Sequence, residues 1–193
     1  MVAHRSERKT NRPPTLWRRL WDRVCRRTER VLFVLPRQEH AHVRAPGADV
    51  QLVQIDRTNA GLIWSWGGLP RKTYSVFQTM AAAGEVGYFL IEDSRVASHA
   101  WLILNPGPGT VDRRYLRIYP GEAYLHYLHT YPPYRRRGLA QYLVTRVALR
   151  EDEDVWQGIS ILKSSVLAEN EASLALMRNV GALRVGRSAH WRI

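Results

Sequence analysis

Three consecutive arginines and a glycine, Arg135-Arg136-Arg137-Gly138, followed by Leu139-Ala140, are the residues of this chain whose types and spacing point most directly to chemistry. They join an extended run rich in Tyr, Leu and His, residues 123–130, to a stretch with helical apolar spacing at Leu143, Val144, Val147 and Leu149. A helix opening at this turn presents backbone N–H groups without intrahelical partners and the positive end of its dipole, and the arginines add charge. Such a turn serves an anion, phosphate above all; the plain alternative is a solvated basic turn. Gly138 either admits close backbone approach to that anion or simply turns the chain.

Other chemistries find little support. The seven histidines are scattered without metal-ligand spacing, and although His40 and His42 can share a strand face, no carboxylate or cysteine cluster completes a site, so no metal is expected. The single cysteine, Cys25, forms neither an internal disulfide nor an all-cysteine metal site, which fits a reducing, cytoplasmic setting. No Gly-x-Ser-x-Gly nucleophile motif and no Walker loop occurs. No apolar run approaches the ~20 residues of a membrane span, and the start lacks the apolar core of a signal peptide.

The elements that must hold the turn are readable as an alternation. Val50–Ile55 reads as a strand, residues 59–67 and 72–83 as two helical pieces, and residues 86–92 and 95–104 as strands joined by Asp93-Ser94. A glycine- and proline-rich loop follows at 105–109, then a short segment at 114–119 and the 123–130 strand. After the turn come a helix over 137–150, a β-branched strand over 155–163, a helix from about Asn170 that stops at Gly181, and an extended tail from 182 to 193.

Charge divides the chain. The formal net charge is +12, and residues 1–40 hold 11 Lys and Arg against 4 Asp and Glu. Leu16, Trp17, Leu20, Trp21, Val24, Thr28 and Val31 recur at helical spacing opposite a face of arginines, which predicts a basic amphipathic helix over about 15–35, ended by Pro36. Its apolar face can dock on its own domain, on a second copy in a homodimer, or on an anionic membrane surface; nucleic acid is the least favoured partner. Residues 1–47 are therefore expected to form a basic N-terminal extension, and 48–193 one compact domain.

Two motifs in order carry a resemblance. Arg135-x-x-Gly138-x-Ala140 resembles the acyl-CoA pyrophosphate loop of the GNAT superfamily of N-acyltransferases (GCN5-related N-acetyltransferases). Asn170 through Ala182 resembles the GNAT segment in which Asn opens a helix, a small residue (Ser173) follows three later, and Gly181 closes it. The resemblance covers roughly 49–193. It implies an α/β GNAT fold with a mixed, largely antiparallel central sheet of six to seven strands flanked by helices. Two central strands would splay apart, here 123–130 and 156–163.

It also implies an activity: transfer of an acetyl or short acyl group from coenzyme A, as co-substrate, to a primary amine. A small-molecule amine such as an amino sugar is the leading acceptor, a protein amine the next, and a non-catalytic acyl-CoA-binding module the contrast. On this resemblance Thr130 supplies main-chain bonds near the thioester, and the pyrophosphate sits on the N–H groups of Arg137, Gly138, Leu139, Ala140 and Gln141. Arg135 and Arg136 add charge-assisted contacts. Asn170 and Ser173 join the cofactor site, though Asn170 also makes a good plain helix cap and Ser173 a plain packing residue. The tyrosine that protonates the leaving thiolate in many relatives is matched here by Met177, which donates no proton. If Thr130 faces the thioester, strict alternation puts Leu128, His126, Tyr124 and Glu122 beside it, with Tyr127 and His129 opposite. His126 is then the first candidate base and Glu122 the second, the alternative for His126 being an ordinary sheet-face histidine. His99, on the same face as Trp101, is a candidate for the acceptor pocket.

Overall fold

In the computed structural model of the chain, the structure describes residues 26–37, 47, 49–113, 116–150 and 152–192. Among the described residues nine strands are formed: β1 Arg26–Leu35, β2 Gln51–Ile55, β3 Val86–Glu92, β4 Arg95–Asn105, β5 Val111–Arg113, β6 Leu116–Ile118, β7 Glu122–Thr130, β8 Ile161–Leu167 and β9 Leu183–Arg192. The helices are α1 Arg71–Ala82, α2 Leu139–Leu149, α3 Glu153–Trp156 and α4 Glu171–Asn179, with a 3₁₀ segment at Ala60–Ser65. Seven strands make one sheet in the order β2-β3-β4-β7-β8-β1-β9, and β5 with β6 makes a small ribbon. All neighbours in the large sheet are antiparallel except β7 and β8. This is the mixed, largely antiparallel sheet flanked by helices that the resemblance implies. Among the described residues no helix is long and apolar enough to cross a membrane.

Each face of the sheet carries a core. On one, Leu139, Leu143, Val144 and Val147 of α2 and Met177 and Val180 at α4 pack on Leu102, Ala123, Leu125 and Leu162. On the other, Phe77 and Ala81 of α1, with Ile63 of the 3₁₀ segment, pack on Ile55, Phe89 and Trp101. The β3–β4 hairpin turns through Asp93 and Ser94, both left-handed at φ 49° and 57°, as a two-residue turn matching strand twist requires.

Three expectations are corrected. The helix predicted over 15–35 does not continue through its second half: residues 26–35 are β1, hydrogen-bonded to β8 on one side and β9 on the other. Val31, Phe33 and Leu35 are buried in the sheet's own core, and the expected boundary at residue 47 cuts through one sheet. The helical spacing misled because a short continuous apolar run suits a strand as well as a helix, and only distant partners decide. Residues 15–25 lie outside the described residues. Next, the strand expected over 155–163 starts only at Ile161. Asp152 caps α3 by accepting from the Val155 N–H, Glu153 and Asp154 suit its first turn, and Gly158 turns the chain at φ 75°. The third correction concerns which way the side chains of β7 face.

Candidate functional site

Regular alternation along β7 fails at one residue. His99 of β4 pairs with His129 and Trp101 with His126, so Tyr127 and Leu128 together oppose one residue of β4, and Tyr127 takes φ 51°. The extra residue changes which face the end of the strand presents. Thr130 points to the α2 side, where its Oγ1 lies 2.9 Å from Ser98 Oγ. His126 and Tyr124 keep the opposite face, their rings stacked 5.8 Å apart, and Tyr127 and His129 join them there. The structure therefore does not place Leu128 and Thr130 with His126, Tyr124 and Glu122, as strict alternation predicts. It groups Tyr127 and His129 with His126 instead.

The parallel ladder between β7 and β8 runs only from Glu122–Ile161 to Leu125–Ser164. Beyond it β7 continues beside β4 to Thr130, and β8 beside β1 to Leu167, so the two strands diverge into a wedge. Ser164 Oγ donates to the Leu125 carbonyl (3.1 Å) where the ladder ends, and the Tyr124 hydroxyl and Ser165 Oγ stand 2.6 Å apart across the start of the opening. Divergence leaves main-chain groups of 126–130 on that side without a ladder partner, the arrangement an extended amide-bearing ligand can complete.

At the wide end, β7 leads through a 3₁₀ turn, Pro132–Tyr134, into the basic turn. Arg136 (φ 64°) and Gly138 (φ 74°) are both left-handed, and α2 begins at Leu139 with no side chain capping it. A Cβ at Gly138 would meet no atom within 4 Å, so glycine is required here by its dihedral, and the space over it stays open. The first α2 hydrogen bond runs from the Tyr142 N–H to the Gly138 carbonyl, which leaves the Leu139, Ala140 and Gln141 N–H groups as the uncapped end of the helix. The turn and an 11-residue helix thus form a concave set of N–H donors suited to a phosphate.

The arginines divide the work. Arg137 grips Glu92 at the end of β3 with two bonds of 2.7 and 2.5 Å, which holds the Glu92 carboxyl below its ordinary range. Its side chain braces the turn. Arg135 Nε donates to the Thr130 carbonyl at 3.1 Å, which ties the turn to the end of β7. Arg136 is exposed, with a left-handed backbone. Across the wedge, Asn170 caps α4 by accepting from the Ser173 N–H at 3.0 Å, which is the plain capping role; both residues lie at the surface end of that helix. Met177 is buried in the core, 1% exposed.

The two candidate bases fare differently. His126 Nε2 lies 2.9 Å from Oε2 of Glu85, a residue just ahead of β3 that sequence reasoning missed because it lies 41 positions away. Glu122 is not brought to the wedge: its carboxylate pairs with Lys163 and accepts from the Tyr119 N–H, and eight residues of strand separate it from Thr130, roughly 26 Å.

On the face opposite α2 a cavity of about 400 Å³ opens beside the bulge, lined among others by Thr73, His99, Tyr127, Leu128, His129 and Tyr131. Burial, with His129 nearby, pushes His99 down to about 3, and burial pushes Tyr131 up to about 12. Both are neutral near pH 7. His129 is also lowered, by burial first and then by the Arg135 charge. Trp101, on the His99 face, is wholly buried behind it.

Solved structures share this fold. A GCN5-related N-acetyltransferase from Sphaerobacter thermophilus superposes with TM-score 0.56 at 15% identity over 91% of this chain and 55% of its own. A GCN5-related N-acetyltransferase-like protein from Streptococcus suis gives 0.55 at 15% over 93% and 69%, and a functionally unknown conserved protein from Staphylococcus epidermidis gives 0.59 at 10% over 94% and 68%. At such identities the likeness is one of fold. This chain spans about half to two thirds of the length of the solved structures it resembles. No curated protein matches it. Residues 53–182, which include the wedge, the basic turn and α4, match the acetyltransferase (GNAT) family, and the chain belongs to that family.

Proposed function

We propose that this chain transfers an acyl group, acetyl in the first instance, from coenzyme A to the primary amine of a small molecule. The observation that carries the reading is the wedge between β7 and β8 ending on an uncapped, left-handed basic turn. Its free strand edge suits the amides of a pantetheine arm, and the N–H groups from Arg137 to Gln141 suit the pyrophosphate, with Arg136 free to approach and Arg135 and Arg137 bracing the loop. Thr130 contributes its backbone at the mouth, and Asn170 and Ser173 flank the far side through the start of α4.

The thioester supplies an activated carbonyl and a thiolate leaving group. The chain's part is to bring an uncharged amine to it and to take up the proton. His126 serves as that base: it is half-buried on the face of β7 opposite α2, and Glu85 fixes its ring orientation from 2.9 Å. Met177 leaves its position without a proton donor. Because a thiol is acidic by comparison with an alcohol, its thiolate departs without one. The same residue favours the second reading, an acyl-CoA-binding module without turnover. A protein amine is the alternative acceptor.

Thiol release from acetyl-CoA against a panel of amines, read beside thermal shift with coenzyme A, tests both. Turnover with a small amine supports the transferase, stabilisation without turnover the module, and no stabilisation defeats the two together. In the transferase, Gly138→Val is expected to raise the acetyl-CoA KM by about tenfold or more while kcat changes less, because it blocks backbone approach; the left-handed residue also costs about 1–2 kcal/mol of stability. His126→Ala should lower kcat by roughly 10²–10⁴.

A further inference from the structure

The cavity beside the bulge has a chemistry of its own. Its walls are rings: His99 stands 5.7 Å from Tyr127 at 28° between planes and 5.8 Å from Tyr131, and His129 lies 4.8 Å from Tyr131 edge to face. Phe77 backs His99 at 4.7 Å. Pro70 and Thr73, from the start of α1, complete it, and no Asp, Glu, Lys or Arg is among its lining residues. Tyr127 is 48% exposed although it sits at the bulge in a left-handed conformation that a bulky residue seldom adopts. A strained backbone that presents an aromatic face to an open cavity calls for a flat partner to cover it.

Charge narrows the partner further. A second ammonium on the acceptor would leave water with no carboxylate among the lining residues to receive it, and an acidic group would meet only neutral donors there. The hydroxyls of an amino sugar would find polar atoms only on Thr73, the tyrosines and the histidines, set among ring faces that suit a flat aromatic body better. A volume of about 400 Å³ lies at the small end of ligand sites, which run from roughly 300 to 1,000 Å³.

We infer that the acceptor is a monoamine with a flat aromatic body, seated against Tyr127, His129 and Tyr131 on the face of β7 away from α2, with its amino group directed to the wedge. This rests on the acyl transfer proposed above. It places acceptor and acyl-CoA on opposite sides of the split sheet, meeting where β7 and β8 part. The aromatic body contributes by stacking and apolar burial, and its single nitrogen is left for the acyl group.

The test uses the full chain with phenethylamine, glucosamine and spermidine, each measured two ways: thiol release from saturating acetyl-CoA, and calorimetric binding in the presence of coenzyme A. Phenethylamine is expected to exceed both others in kcat/KM and in affinity by about tenfold. Tyr127→Asn, which tolerates the left-handed backbone, should raise the KM for phenethylamine several-fold with kcat little changed. Thr73→Glu should move the preference toward spermidine. Equal or better use of glucosamine or spermidine by the native chain overturns the assignment while leaving acyl transfer standing. If no amine releases thiol, the transfer reading fails, and calorimetry still decides the cavity: preferential phenethylamine binding upholds its aromatic character, and indifferent binding overturns it.

Discussion

His99 shows how one buried side chain sets a pH dependence. In the unfolded chain it takes a proton near pH 6.5, whereas in the fold burial holds it off until about 3. Between those values the unfolded state binds more protons, so stability is full above about pH 6.5 and declines as pH falls toward 3. His99→Phe, a ring set among Phe77, Phe89 and Tyr127, should flatten that decline. Urea midpoints at about pH 7 and about pH 5 check it, since Glu92, lowered by Arg137, loses its contribution only at more acid pH. An equal fall in variant and native chain would assign the acid sensitivity to other groups. Residues of local consequence were legible in the sequence: Gly138 at a left-handed helix start and Asn170 as a cap follow from their neighbours. The Glu92 partner of Arg137 and the Glu85 partner of His126 were not, because strand order, not local pattern, brings them together.

At the scale of elements, β1 and β7 mark the limits of local reading. Residues 123–130 alternate without a glycine or any other sign of a bulge, yet one left-handed residue reassigns the faces and moves Thr130 away from His126. Such a bulge reflects the fit of β7 between a fully paired β4 and a diverging β8, which no single strand's sequence records. β1 is held from both sides, and its Phe33 is 4% exposed in the core that α2 and α4 share. Phe33→Ala should cost about 3–5 kcal/mol, read as a lowered urea midpoint with unchanged slope. A helix docked at the periphery would lose far less.

For the whole molecule, the order of the sheet makes the early and late parts of the chain interdependent. The family match ends before β9 and begins after β1, yet β9 reaches the rest of the sheet through β1. A chain starting at residue 48 would therefore lose β1 and leave β8 and β9 unjoined. It is expected to be unfolded or aggregated by circular dichroism and gel filtration, and a peptide of residues 26–37 added in trans should restore the β-sheet signal. A folded, monomeric truncation would overturn this account of the sheet. The same order has a consequence during synthesis. β1 leaves the ribosome early, but β8 follows it by more than a hundred residues, a delay on the order of 10 s at ordinary elongation rates. Over that interval Val31-Leu32-Phe33-Val34-Leu35 is an uncharged, strand-forming segment with no partner, the type of segment that associates with others of its kind. Arg26, Arg27 and Arg30 before it, offset in part by Glu29, and Arg37 after it put positive charge on both flanks, the arrangement that opposes association of such a segment.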